Sequence, residues 1–158
     1  IEEAFNAMDK VLRIAQGQSL YHHNHATLLC SFPEIAATHY RIKPQQVIRK
    51  AIAELDLAIQ LEPKNFEFVA DRAEAFLDLK PFPYQNALTA WSDALKLATK
   101  QNERDWAYLQ CAIAHYKANR WKNVSRSLNK MSGDFHQTLS GQLRKAAENK
   151  SHTETPKP

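Results

Sequence analysis

A helical stripe that ends at a proline constrains the fold of this chain more than any other feature. Ala51, Leu55 and Ala58 recur at the spacing that places side chains along one face of a helix. Two of the three are small, so a neighbouring helix can approach this face closely. Pro63 cannot continue the helix and pushes the residue before it towards an extended backbone. The pattern predicts a helix that packs tightly on a neighbour and ends just before Pro63.

The same stripe recurs along the chain, and no stretch alternates apolar and polar residues as a half-buried strand would. The chain also has only 3 glycines, which leaves few positions for tight turns between strands. The sequence therefore predicts an all-α fold. The other three occurrences of the stripe are Ala4, Met8 and Val11, then Ala87, Trp91 and Ala94, and then Val124, Leu128 and Met131.

Breakers between the periodic segments set the expected element bounds. Pro44 suits the first position of the helix that carries the central stripe. Residues 32–46 form an insertion with an extra helical turn at 35–40, residues 101–104 form a polar turn, and residues 151–158 form a disordered tail. The remaining helices are predicted at 1–16, 19–31, 66–79, 84–100, 105–118, 121–131 and 135–149.

Repeated in this order, the stripes resemble the tetratricopeptide repeat, a 34-residue helix–turn–helix unit. The resemblance implies that residues 1–150 form stacked antiparallel helical hairpins in a right-handed α-solenoid, closed by a C-terminal capping helix. On this pattern the chain starts in mid-repeat, so we expect it to be part of a larger protein or complex. The insertion at 32–46 departs from a regular repeat.

Proteins of this family hold a partner's peptide or helix in a concave groove lined by the first helix of each pair, which implies a non-catalytic scaffold or adaptor without a cofactor. The groove positions implied for the second helix pair include four carboxylates, which favour a partner with Lys or Arg. Those implied for the third pair include aromatic residues, which favour an adjacent apolar or aromatic residue in the partner. A solvated acidic face with half-buried aromatics is the alternative. The implied groove positions are His23, Asn24, Thr27, Cys30 and Ser31, then Glu67, Ala70, Asp71, Glu74, Leu77 and Asp78, and then Trp106, Leu109, Gln110, Ile113, Tyr116 and Lys117.

A metal-dependent or thiol enzyme is a second hypothesis. His22 and His25 lie one turn apart and can share a helix face, although zinc sites usually have three or four ligands. Hydrogen-bonded histidines that pack between helices explain the same residues. Cys111 and His115 lie at i and i+4, the spacing of a nucleophile and its base, but a buried and inert thiol fits the same position.

A nucleic-acid-binding adaptor is a third hypothesis, because residues 119–158 carry eight basic and three acidic residues. These charges form no dense stripe, and this pattern disfavours a nucleic-acid partner. No apolar run is long enough to span a membrane. Two cysteines without metal-like spacing favour a reducing compartment, so a cytoplasmic location is expected.

Overall fold

The computed structural model describes residues 1–132 and 136–153, with side chains up to residue 150. Within these residues every regular element is helical and no strand is present, so the predicted all-α class is confirmed. A 3₁₀ turn, Phe76–Asp78, extends α5. The α-helices are α1 (Glu2–Ile14), α2 (Ser19–Ser31), α3 (Pro33–Tyr40), α4 (Pro44–Leu61), α5 (Phe66–Ala75), α6 (Tyr84–Leu97), α7 (Gln101–Lys117), α8 (Trp121–Leu128) and α9 (Gln137–Thr153).

Prolines set two of the helix bounds as predicted. Pro44 is the first residue of α4, where its missing N–H is not needed. The helix ends at Leu61, two residues before Pro63. The next helix, α5, begins at Phe66, with the side chain of Asn65 accepting a hydrogen bond from the backbone N–H of Glu67.

The predicted polar turn at 101–104 is wrong, because these residues form the first turn of α7. The Glu103 carboxylate accepts hydrogen bonds from the backbone N–H groups of Thr99 and Lys100, at 2.9 and 3.1 Å. These bonds satisfy donors at a helix start and favour an earlier beginning. The extra turn predicted at 35–40 is longer than expected and forms the eight-residue helix α3.

The chain divides into two compact units, and the first is Ile1–Pro83. Here α4 packs against α2, α3 and α5, and α1 packs against α2 and α3. The two small residues of the central stripe, Ala51 and Ala58, are completely buried, as a close helix crossing requires. The apolar core of this unit contains Phe5, Ala26, Leu29, Ala36, Val47, Ala51, Leu55 and Ala75.

The second unit is Tyr84–Pro158, in which α7 packs against α6 and α8, and α9 packs against both α7 and α8. Leu143 and Ala147 of α9 are buried in its core, together with Trp121 of α8. The position of α9 agrees with a helix that covers the preceding pair. It continues to Thr153, three residues into the predicted tail. Residues 154–158, like the predicted turn and helix start at 133–135, lie outside the described residues.

Helices that follow one another in the chain pack together within each unit. The right-handed solenoid, and the single domain over 1–150, stay predictions. No described helix has the length and apolar character needed to cross a bilayer.

Candidate functional site

Six of the predicted groove positions line one cavity in the first unit. They are Thr27, Cys30, Ser31, Asp71, Glu74 and Asp78. The first three belong to α2, and the others belong to α5 and the 3₁₀ turn that extends it. Ala26, Leu55 and Ala75 add an apolar part to the lining, and the cavity measures about 270 Å³. We call this cavity the α2/α5 groove.

Three carboxylates make the α2/α5 groove acidic. Within the described residues neither Glu74 nor Asp78 forms an ion pair. Glu74 stays solvent-accessible, but partial burial of its carboxyl and the charges of Asp71 and Asp78 raise its pKa above the usual range. Burial and the same carboxylates raise the pKa of the Cys30 thiol to about 12. The groove therefore holds carboxylates, Glu74 and Asp78, that pair with no basic side chain within the described residues.

His23 pairs with one of the three carboxylates, Asp71. It is buried, and its Nε2 lies 2.7 Å from Oδ2 of Asp71. The hydrogen bond to Asp71 is the main cause of a raised His23 pKa, with burial opposing it and the charges of Asp71 and Glu67 reinforcing it. The imidazole also contacts the ring of Phe68, with centroids 4.7 Å apart. His23 was predicted as a groove surface residue, but it mainly joins α2 to α5.

The other predicted positions of the first unit do not line the cavity. Asn24 and Glu67 are exposed to solvent. Ala70 and Leu77 are buried in the packing around α5.

The third set of predicted groove positions lies on α7 in the second unit. Most of these side chains pack in or against the core of that unit. Leu109 and Gln110 are buried, so they offer no exposed surface. Trp106 and Ile113 are half-buried and pack against the apolar cluster of α7, α8 and α9. Tyr116 and Lys117 are exposed, and the ring of Tyr116 contacts that of Trp121 edge-on, with centroids 5.4 Å apart.

A second polar cluster, centred on Glu54 of α4, was not predicted. Glu54 Oε2 lies 2.7 Å from Nδ1 of His22, and Oε1 lies 3.1 Å from Nδ1 of His25 and 3.6 Å from Nζ of Lys50. The other ring nitrogen of His22 lies 2.9 Å from the backbone carbonyl oxygen of Gln16. His22 and His25 thus face packed helices, as expected from their position in the pattern.

A hydrogen-bond chain continues from His25 towards α1. Tyr40 donates its hydroxyl proton to Oδ1 of Asp9 at 2.9 Å, so its oxygen accepts from Nε2 of His25 at 3.0 Å. Asp9 Oδ2 lies 3.4 Å from Nε2 of His39. Burial and the bond to Asp9 raise the pKa of Tyr40, which keeps the phenol protonated as a donor. The chain joins α1, α2 and α3 through buried or half-buried polar groups.

Glu54 is ionised in this setting despite its burial. Burial raises the pKa of its carboxyl, but pairing with His25, the hydrogen bond from His22 and the charge of Lys50 outweigh that effect and lower the pKa to about 2. Within the described residues no group of three His, Cys, Asp or Glu side chains is placed to hold a metal ion. The contacts of Glu54 and His22 make the cluster an ionic and hydrogen-bonded network.

Cys111 and His115 do not form an activated pair. Burial raises the pKa of the Cys111 thiol to about 11, so the nucleophilic thiolate is scarce at neutral pH. Nδ1 of His115 is 2.9 Å from the hydroxyl oxygen of Tyr84, and burial lowers the pKa of this imidazole. Both residues are half-buried within the second unit.

Several basic residues of the C-terminal part make contacts within the second unit. Arg144 donates to the backbone carbonyl of Leu128 at 2.9 Å, which caps the end of α8. The Lys130 ammonium lies 5.5 Å from the centre of the Tyr108 ring. These contacts use part of the charge on which a nucleic-acid site would depend.

Glu54 is the residue that sequence reasoning missed, and the sequence carried a signal for it. It lies three residues after Ala51 and four before Ala58, on the face of α4 that was predicted to be buried. A carboxylate at such a position needs hydrogen-bonding or charged partners. The histidines of α2 are the obvious candidates.

Comparison of the sequence with protein-family models found no match, and comparison with curated proteins found none either.

Proposed function

We propose that this chain is a non-catalytic protein-interaction module whose α2/α5 groove binds a partner peptide. The observation that carries the proposal is the convergence of Asp71, Glu74 and Asp78 on one cavity, with no basic group paired to Glu74 or Asp78 in the described residues. A Lys or Arg side chain in the groove would relieve the repulsion among these carboxylates.

The size and lining of the groove limit what enters it. A volume of about 270 Å³ lies just below the range of roughly 300–1,000 Å³ for small-molecule sites. It suits one or two side chains better than a whole helix. Ala26, Leu55 and Ala75 provide apolar contact beside the carboxylates. The expected guest is an exposed segment with a Lys or Arg next to an apolar or aromatic residue.

The adaptor role and a tetratricopeptide-like stacking rest on the sequence resemblance. The groove supports them because its lining combines residues of α2 and α5, the helices that match the first helix of two successive repeats. We also propose a reducing compartment such as the cytoplasm, since Cys30 and Cys111 are both free thiols. A larger assembly that contains the partner is part of the same proposal.

Binding of two labelled peptides by fluorescence anisotropy tests the proposal. The first peptide is capped Ala-Lys-Phe-Arg-Ala, and the second replaces Lys and Arg by Glu. We expect only the basic peptide to bind, and the double variant Glu74→Gln, Asp78→Asn to bind it about tenfold more weakly, which corresponds to roughly 1.4 kcal/mol.

The matched control is the double variant Glu34→Gln, Glu148→Gln, which removes the same charge from exposed positions outside the groove. It should retain the affinity of the wild type. Equal weakening in both double variants would assign binding to overall charge, and equal binding of both peptides would overturn the proposal.

A further inference from the structure

The first unit has a second and larger cavity, distinct from the α2/α5 groove. It measures about 700 Å³, within the size range of small-molecule sites. Its lining includes Leu12 and Arg13 of α1 and Lys50, Glu54 and Leu57 of α4. His22, His25 and Tyr40 contribute the polar groups already described. We call this cavity the α1/α4 cleft.

The two histidines of the cleft face more hydrogen-bond acceptors than neutral imidazoles can serve. Both ring nitrogens of His22 face acceptors, the Glu54 carboxylate and the carbonyl of Gln16, so both bonds form together only when the ring is protonated. His25 already uses its Nε2 proton towards Tyr40. Its Nδ1 is buried and lacks a well-aligned hydrogen-bond partner, although Glu54 Oε1 is 3.1 Å away. This nitrogen and that oxygen attract only when Nδ1 also carries a proton.

The lining of the cleft holds a cation that its own carboxylates do not engage. Its two carboxylates are engaged, because Glu54 contacts His22, His25 and Lys50, and Asp9 contacts Tyr40 and His39. Arg13 lines the cleft and forms no ion pair within the described part of the chain. Arg13 is thus available to an anionic guest.

Apolar side chains stand beside these charges. Leu12 and Leu57 line the same cleft, and Leu57 is 42 % exposed. Covering that surface removes apolar area from water, which favours binding. A guest that satisfies both parts of the lining has an anionic head and a short hydrocarbon body.

We propose that the α1/α4 cleft binds a small organic anion, a carboxylate or phosphate whose head lies near Arg13 and Lys50 and whose hydrocarbon part contacts Leu12 and Leu57. The site is independent of the α2/α5 groove, because no residue lines both cavities. The chain would then carry a small-molecule site and a peptide site within the same unit.

Titration of the ¹⁵N-labelled protein, followed by NMR, tests the proposal with four probes. Hexanoate and hexyl phosphate combine a head and a body, hexan-1-ol has only the body, and inorganic phosphate has only a charge. We expect amide shifts around Arg13, Lys50 and Glu54 with at least one of the first two probes. Its Kd should be at least tenfold lower than that of hexan-1-ol or inorganic phosphate, and the tighter of the two organic anions identifies the head.

Two double variants assign the charge contribution. Arg13→Gln with Lys50→Gln should raise the Kd of the organic anion at least tenfold. Lys10→Gln with Arg49→Gln removes the same charge from exposed positions of the same helices outside the cleft and should leave the Kd unchanged. If the first double variant folds poorly, Arg13→Gln alone is expected to weaken binding about threefold, because Arg13 is exposed and forms no ion pair with any described residue.

Three results would overturn the proposal: hexan-1-ol binding as tightly as the organic anions, equal weakening by both double variants, or no amide shift in the cleft at saturating probe.

Discussion

Nδ1 of His22 lies 2.7 Å from Oε2 of Glu54, and the two residues are buried on facing helices. The pair holds α2 against α4 at the place where the two helices pack. Glu54 also faces His25 and Lys50, so one carboxylate serves three basic partners. This arrangement makes Glu54 the polar centre of the first unit.

Replacing Glu54 by Gln is expected to destabilise the protein by about 3 kcal/mol, because a buried ionic network loses its only central charge. Urea unfolding followed by circular dichroism measures the effect. Asp56→Asn on the same helix is the control, since its pair with Arg72 is at the surface and contributes about 0–1 kcal/mol. Similar losses in both variants would contradict the central role of Glu54.

Glu54 also predicts how stability responds to acid. Its pKa is lowered to about 2 in the folded protein, against 4.5 as the ordinary value. The stabilisation is therefore fully present above about pH 4.5 and is lost as the pH falls towards 2. Urea unfolding at a series of pH values should show a decline over this window in the wild type and a much smaller one in Glu54→Gln. Parallel curves for the two proteins would refute the assignment.

Affinity of the α2/α5 groove for the basic peptide is expected to rise with pH. Because the pKa of Glu74 is raised, part of this carboxyl is neutral in mild acid. The groove therefore gains negative charge as the pH rises. His23, whose pKa is also raised, loses its positive charge at higher pH and leaves Asp71 unneutralised. Anisotropy titrations from pH 4.5 to 8 check this, and Glu74→Gln should remove the acid part of the rise. A flat profile in the wild type would argue against peptide binding at these carboxylates.

The His23–Asp71 bond also makes stability depend on pH, and stability should fall as the pH rises, whereas peptide affinity should increase. A group with a raised pKa stabilises the fold fully below its unfolded value, near 6.5, and loses that contribution as the pH rises through the folded value. Stability of the wild type should therefore fall modestly from pH 6 to 9, since the Asp71 side chain is 41 % exposed and screened. Asp71→Asn should flatten that decline in urea unfolding experiments. An unchanged slope would show that His23 gains nothing from Asp71.

Both thiols are expected to react slowly in the folded protein. Burial is the main cause of the raised pKa values of Cys30 and Cys111, about 12 and about 11, so the reactive thiolate is scarce at pH 8. Reaction with Ellman's reagent should be at least a hundred times slower than in 6 M urea. Cys111→Ser and Cys30→Ser assign each thiol, and a fast phase that disappears with Cys111→Ser would revive the thiol-enzyme hypothesis.

Two helix ends test the cost of a left-handed backbone. Arg41 and Asn119 have φ of 55° and 57° after α3 and α7, and the next residue in each case donates to a carbonyl five residues back. Arg41→Gly should stabilise the protein by about 0.5–1 kcal/mol, whereas Asn119→Gly should change little, because asparagine tolerates this conformation. Thermal unfolding compares them, and a larger gain at Asn119 would contradict the argument.

Local sequence signals predicted the helix bounds well at positions where a proline or a clear helical periodicity is present. Periodicity and the prolines placed α2 at 19–31 and the start of α4 at Pro44, because these features act over one or two turns. The start of α7 was missed because residues 101–104 are polar. Glu103, three residues after Lys100, was the usable sign of a helix beginning there.

The α2/α5 groove and the α1/α4 cleft were harder to predict because their contacts join residues that are far apart in the sequence. His23 and Asp71 are 48 residues apart, and His22 and Glu54 are 32 apart. The repeat pattern brought the first of these pairs to one surface but gave no sign that the two side chains would bond. It also treated Leu109 and Gln110 as groove residues, although packing within the second unit buries them.

Three histidines within four residues of α2 reach three other helices. His22 bonds to α4, His23 to α5 and His25 to α3, and His22 also holds the carbonyl of Gln16 just after α1. Unravelling of α2 would release all of these contacts at once. The slowest-exchanging amides of α2, α4 and α5 should therefore open together in hydrogen exchange, as one cooperative block in which no helix of the first unit melts alone.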